Sequence, residues 1–555
     1  MFPYSDDRVR LSQVALLLGL GLVASIAVPL GLTIASLALS GSLHPVLFFL
    51  GQLSALTAVV VIGRHEGLGY GALTAITLLL LLLIVGAVWL ASGYYDLSWD
   101  GMAYHQEAII HLAQGWNPLQ QHLQESIIHA VWINHYPQAS WIYATLLFKI
   151  TGNIESGKAY QWILLLVTFF TVLAAALRIK QIPLWLVVWF AALTAANPVT
   201  LYQSLSYYVD GSLGALLTAI AAVSLLLFLS PTKTLAALWI MLGVLAINLK
   251  FTGVPYLIIA GVGLVLMAVA NRRWSLAVHS VQLLTVTLVS AVVIVGYNPY
   301  IGNTVDHGHP FYPVRGDHAI DIMTPVTPKG LQEGGRMEKF LTALFSDSTN
   351  AMEFTPQAQP LALLPPATSI TGFANTDMRV GGWGPLFGRI VALLGVGLLL
   401  CLLVMRPVSN GRLVAGACAI ILVSVLANPE AWWARYTPQL WLIPLSLGVW
   451  LFLQSSKVAR GLGVVTLSLL SLNTLLVAGA YFSYNQAANA ELKTQLVDLA
   501  KSTAAIQVDF GPFAALRERL AAAGVPFETV PTTTLQCNAP LVLLGTFDKV
   551  WLCRE

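Results

Sequence analysis

Apolar runs of membrane-spanning length recur along almost the whole chain, and no other feature constrains the fold as strongly. Crossing roughly 30 Å of hydrocarbon takes about 20 apolar residues. The sequence offers about thirteen such runs: 12–38, 44–63, 69–92, 159–179, 183–203, 208–229, 234–250, 253–270, 275–297, 387–405, 411–427, 434–453 and 459–480. Of the 555 residues 57% are hydrophobic and only 10% charged, a balance no soluble core absorbs. Backbone groups in lipid must be satisfied within each segment, which leaves helices. The expected fold class is an all-α polytopic membrane protein of about 13 transmembrane helices.

Short loops rich in Lys and Arg face the cytoplasm. One set of hinges carries Arg8 and Arg10, Arg64, Arg178 and Lys180, Lys233, Arg272 and Arg273, Arg406 and Arg412, then Lys457 and Arg460. The alternate hinges, near 39–43, 204–207, 251–252 and 428–433, carry almost none. An odd number of spans with a cytoplasmic N-terminus puts every basic hinge on one side, with the C-terminus outside. The expected location is the plasma (bacterial inner) membrane. The first run is longer than a signal-peptide core and lacks a clear small-residue cleavage site, so it reads as a retained anchor.

In this topology three polar stretches face outward: 93–158, 298–386 and the tail from 481. The chain divides into a transmembrane unit, 1–480, and a small extracytoplasmic tail, 481–555. In the first loop Leu123, Ile127, Ile128, Val131 and Trp132 recur at helical spacing, which predicts an amphipathic helix on the membrane surface. Ala139 to Ile150 is too short to cross and predicts a surface or re-entrant helix. In the second loop a short helix is expected around 336–346. The tail reads as a small α/β appendage: a strand over Ala505–Phe510, a helix over Phe513–Ala523 ended by Gly524, and a strand over Pro540–Gly545. The formal charge of +3 is spread over hinges and loops, with no basic patch for nucleic acid. Cys401 and Cys418 lie in spans as packing residues, whereas Cys537 and Cys553 share the outward tail, where an oxidising compartment permits a disulfide.

Where charges are this scarce, their placement is informative. Asp96 and Asp100 stand just beyond the third span, in Tyr94-Tyr95-Asp96-Leu97-Ser98-Trp99-Asp100-Gly101-Met102-Ala103-Tyr104-His105. Asp100 before Gly101 suits a helix N-cap. The other reading is a general base that takes a proton from a hydroxyl, kept ionised by a cation or metal. Asp210 begins the sixth span, Lys250 ends the seventh and Arg435 opens the twelfth, all on the outward side. Each cation is either a snorkelling anchor or a partner for a lipid-linked phosphate as it leaves. Asp306, His307 and His309, with Asp317, His318 and Asp321 nearby, match no strong metal spacing and read as a turn. Arg379, before the tight turn at Gly381-Gly382, binds either a substrate phosphate or an acid.

Taken together, Trp99-Asp100-Gly101-Met102-Ala103-Tyr104-His105, His135-Tyr136-Pro137, Asp210, Gly302 to Pro313, Gly382 to Phe387 and Arg435-Tyr436 resemble the GT-C superfamily of polytopic glycosyltransferases. That superfamily includes protein O-mannosyltransferases and lipid A aminoarabinose transferases. The resemblance covers roughly 90–450, mostly as architecture. It implies a catalytic acid opening the first outward loop, surface helices in that loop and a polyprenyl-phosphate sugar donor. Asp100 is then the catalytic base, with Asp96 as its substitute. His105, His135, Asp210, Lys250, His309, Arg379, Arg435 and Tyr436 are the implied substrate-binding residues. The paired Asp-Glu of the O-mannosyltransferases is missing, so a lipid or cell-surface glycan acceptor is expected. No cofactor is firmly implied beyond a candidate divalent cation, and the partners are the lipid-linked donor, the acceptor and membrane lipids. The alternative class is a transporter or flippase of lipid-linked glycans, which would place ionisable groups near the midplane and use broken, repeated helices. Here the charges gather at one face.

Overall fold

The computed structural model describes residues 6–404 and 411–554, apart from 40, 180–181, 354, 356, 359–363 and 536–539. Among them, eight helices are long and apolar enough to cross a membrane, from Asp7–Ala38 to Lys457–Leu499, and five shorter apolar helices accompany them. Every expected run falls on one of these helices, and the chain is a multi-pass helical membrane protein with a small C-terminal sheet. The run expected at 183–203 is divided. Pro198 cannot continue a helix, and Asn197 caps a new one by accepting the Val199 N–H at 3.0 Å, giving Leu184–Ala195 and Pro198–Gln203.

The segments expected to face outward lie together. Asn298 in the second loop donates to the Pro118 carbonyl of the first (2.7 Å), and the Tyr207 N–H in the hinge after Pro198–Gln203 donates to Asp96 (2.8 Å). In the first loop the expected surface helix is reduced to Ala130–His135. Asn134 bonds both the N–H and the C=O of Leu123, at 2.8 and 3.0 Å, and closes 123–134 into a loop instead of leaving that backbone to a helix. Helix Ala139–Thr151 is present and ends at Gly152 in the left-handed conformation (φ 68°). It is buried in the protein over most of its length, not spread on the surface. The second-loop helix is Arg336–Phe345.

The last helix, Lys457–Leu499, has 43 residues. At about 1.5 Å per residue it is roughly 65 Å long, twice the hydrocarbon thickness. The division expected at 480 therefore falls inside one continuous rod, whose final turns, through Leu492, Leu496 and Leu499, join the core of the tail. That tail is a four-stranded sheet of order β2-β1-β4-β3, with β1 Ile506–Asp509, β2 Phe527–Thr529, β3 Leu541–Val542 and β4 Trp551–Cys553. β1 pairs parallel to β2 and antiparallel to β4, with Ile506 opposite Phe527 and Val508 opposite Leu552. Helix Leu516–Ala522 covers the sheet, and Gly524 ends it at φ 72°. Cys553 is buried on β4, and its expected partner Cys537 lies outside the described residues.

Candidate active site

The turn that carries Asp100 is built from short side chains. Asp96, fully buried, accepts the Ser98 N–H on one carboxylate oxygen (2.7 Å) and the Tyr207 N–H on the other (2.8 Å). The Ser98 hydroxyl in turn accepts the Gly101 N–H at 3.2 Å. A Cβ at Gly101 would stand 2.0 Å from an Asp96 oxygen, so only glycine lets the chain pass. Gly101–His105 then winds as one turn of π-helix, a deviation common beside functional groups, before Gln106–Ala113 continues as α-helix. Ser98 thus does the capping. Asp100 has helical backbone angles (φ −61°, ψ −36°) and makes no cap bond.

Freed from capping, the Asp100 carboxylate takes a hydrogen bond from the Tyr104 hydroxyl one turn on and faces Arg435, whose Nη1 is 3.8 Å away. Arg435 Nη1 is also 3.7 Å from Asp377, and its Nε is 3.9 Å from Asp210. All three separations exceed hydrogen-bond reach. Among the described residues neither Nε nor Nη1 finds an acceptor, although the side chain is only 12% exposed. Aromatic faces hold it instead, with its Cζ 4.2 Å from the Trp433 ring centre, 5.0 Å from Tyr208 and 5.3 Å from Tyr436. Lys250 pairs with Asp210 and lies 4.0 Å from the Tyr436 ring, so the two cations share that ring. Gln203 steadies Asp210 from the other side at 3.4 Å.

Burial pushes the Asp100 carboxyl up to about 6, with Asp377 and Asp210 adding to the rise and Arg435 opposing it. Its side chain is still 23% exposed, which leaves an approach for a substrate. Burial first, and then the Asp100 charge, hold the Tyr104 phenol well above its ordinary value, so it stays a proton donor. His105 accepts the Trp141 indole N–H at 2.6 Å and packs against the Tyr104 ring in a tilted arrangement, with ring centres 4.4 Å apart. Burial lowers its pKa to about 3, so it is neutral and buttresses the Tyr104 ring.

Asp100, Asp210, Lys250, Arg435 and Tyr436 therefore converge, with His105 one layer behind. The other expected residues do not join them. Asp96 spends both oxygens on backbone N–H groups. His135 bonds Asn303 at 2.7 Å within an aromatic group that includes His307 and Tyr312, and burial lowers its pKa to about 4. His309 accepts the Phe311 N–H at 3.1 Å, as a turn residue does. Arg379 donates to Asn350 (2.7 Å) and to the Val326 carbonyl (3.1 Å), and touches the site through the Trp433 ring. Among the described residues no group of three or more His, Cys, Asp and Glu side chains is placed to hold a metal ion. Asp377, Tyr208 and Tyr104 escape the sequence reading. The four-residue spacing of Asp100 and Tyr104 within one helical stretch was the available signal for Tyr104; Asp377 sits among several acids of the second loop with nothing in the sequence to single it out.

No protein-family model matches the chain, and no curated protein is significantly similar to it. Two solved structures are similar. The crystal structure of ArnT from Cupriavidus metallidurans bound to undecaprenyl phosphate is 14% identical, with 83% of this chain and 86% of that one covered and a TM-score of 0.37. The apo state of the same protein is 15% identical over 82% and 86%, with a TM-score of 0.38. At these values the likeness is a resemblance in outline, and the site has to be read from its own residues.

Proposed function

We propose that this chain is a membrane glycosyltransferase of the GT-C type. It moves a sugar from a polyprenyl-phosphate donor to a hydroxyl of a lipid or cell-surface glycan on the extracytoplasmic face. The observation that carries the reading is the Arg435 guanidinium: nearly buried, held by aromatic faces, with Nε and Nη1 unspent, beside a carboxylate poised near 6. A buried donor without an acceptor costs about 1–3 kcal/mol or more when charged. A phosphate oxygen would recover that cost with charge-assisted bonds.

In the proposed reaction the acceptor hydroxyl gives its proton to Asp100 as its oxygen bonds the sugar's anomeric carbon. The bond from that carbon to the phosphate oxygen breaks, and polyprenyl phosphate leaves with the electron pair. The two events help each other. Taking the proton neutralises Asp100, 3.8 Å from Arg435, and so releases the guanidinium's charge toward the phosphate as that group becomes a dianion. Lys250, across the Tyr436 ring, supplies the second positive charge. Tyr104 orients Asp100 through its hydroxyl. A divalent cation is not assigned a role; loss of transfer on chelation would add one.

The test is binding of undecaprenyl phosphate to the purified protein in nanodiscs. Arg435→Gln and Lys250→Gln should each weaken it by at least about tenfold, the scale of one charge-assisted bond, while the proteins remain folded. Unchanged affinity in both variants would return the two cations to the role of membrane-interface anchors.

A further inference from the structure

The segment that carries Asp100 is gripped from the C-terminal side of the chain at positions before and after it. Asn489, on the far part of helix Lys457–Leu499, receives the Tyr95 N–H and donates to the Gly93 carbonyl, both at 3.0 Å. Arg519, nearly fully buried on helix Leu516–Ala522, donates to the Asp96 carbonyl (2.8 Å) and to Glu155 (3.3 Å). Trp99 meets the rings of Phe513 and Phe547 at 4.9 and 5.4 Å, and Met102 is buried in the same apolar cluster as Leu516 and Leu520. Beyond the π-turn, Arg517 closes on Glu107 with two bonds, of 2.6 and 2.9 Å. Asp100 itself is turned the other way, toward Arg435.

We infer that the tail is the clamp that aims Asp100, with Arg517 and Arg519 as positioning residues for the transfer reaction. The inference rests on the function proposed above. The physical reason is leverage. A π-turn with a glycine at its start is a weak rod, and the two-pronged Arg517–Glu107 contact fixes its far end while Arg519 fixes the near end. Arg517 is the better handle, since its side chain is 29% exposed and its removal leaves the buried Glu155 network whole.

The experiment compares Arg517→Gln with the unaltered protein in nanodiscs. The clamp predicts a fall in kcat of about 10–10²-fold, as expected for misplacement of a reacting group by around 1 Å, with donor KM unchanged within twofold. It also predicts that the acid limb of the kcat profile moves from about 6 toward about 4, the ordinary carboxylate range, because a loosened turn lets water reach Asp100. A merely structural tail would leave that limb in place. Unaltered kcat and limb would overturn the inference. If Arg517→Gln also loses undecaprenyl phosphate binding, the charge-swapped pair Arg517→Glu with Glu107→Arg decides: recovery of kcat over either single variant supports the clamp, and no recovery overturns it. Amide exchange across 93–107 separates this inference from the proposed reaction. Were the unaltered protein to transfer no sugar, faster exchange in Arg517→Gln would still establish the clamp, and identical exchange would refute it.

Discussion

A carboxylate that titrates near 6 is ionised at neutral pH and still basic enough to accept a proton, whereas one near 4 is a weaker base. Asp100 reaches that value through burial and two neighbouring acids, with Arg435 preventing a larger rise. The sign for activity follows directly. Below about 6 Asp100 is protonated and cannot take the acceptor's proton, so kcat should fall about tenfold per pH unit there and level off above, as a pH series in nanodiscs would show. A flat profile from pH 5 to 8 would mean that Asp100 does not set the rate. At this scale the sequence was informative because charge is expensive in an apolar chain. Asp210, Lys250 and Arg435 stand out at span ends that otherwise lack charge, and the fold brings them together. Asp377 was hidden for the opposite reason, since an acid is unremarkable in a polar loop. Choosing between Asp96 and Asp100 needed hydrogen-bond partners supplied by Tyr207, 111 positions away from Asp96.

Elements show the same division. Helices were legible because their apolar runs are long, and the break at Pro198 follows from proline chemistry that a run of hydrophobic residues conceals. The surface helix expected over 123–132 was cut back to its last residues by a tertiary competitor, the Asn134 amide, which periodicity cannot register. Two of the tail's four strands and its helix were legible in place but not in purpose, while Phe527–Thr529 and Trp551–Cys553, three residues each, are too short to show a period. Its arginines are ordinary charges for a polar segment until Arg517 meets Glu107, 410 positions earlier. The π-turn offers a direct check on how tightly this region is built. Gly101→Ala would drive a methyl against an oxygen of the Asp96 carboxylate, whose two oxygens are each held by a backbone N–H. The expected cost is about 1–3 kcal/mol of overpacking, seen as a lower unfolding temperature together with reduced transfer. An unchanged unfolding temperature would show that the turn can open without penalty.

Across the whole molecule, the charges of the site sit at helix ends, on short turns or in loops: Asp210 opens its helix, Lys250 follows one, Asp100 stands just before the π-turn, Arg435 is on the 3-10 turn Ala434–Tyr436 and Asp377 is in a loop. That arrangement suits chemistry at a membrane–water boundary better than carriage of a glycan through the midplane, where a transporter keeps its ionisable groups. The placement of basic hinges predicts a cytoplasmic N-terminus and an outward tail. Reporter fusions after residue 70 and at residue 555 should therefore report opposite sides; the same side for both would put the site in the wrong compartment for the proposed donor.

The central claim is that Asp100 accepts a proton during transfer, and one substitution tests it most directly. Asn replaces the carboxylate with a side chain of the same shape, and because Ser98 already caps the turn, the fold has no need of the charge. Turnover of purified Asp100→Asn in nanodiscs, measured with polyprenyl-phosphate-linked sugars and Asp96→Asn beside it, should fall by about 10²–10⁴-fold while undecaprenyl phosphate still binds. Near-normal turnover in Asp100→Asn would contradict the account, and loss in Asp96→Asn alone would move the base to the residue that here holds the loop.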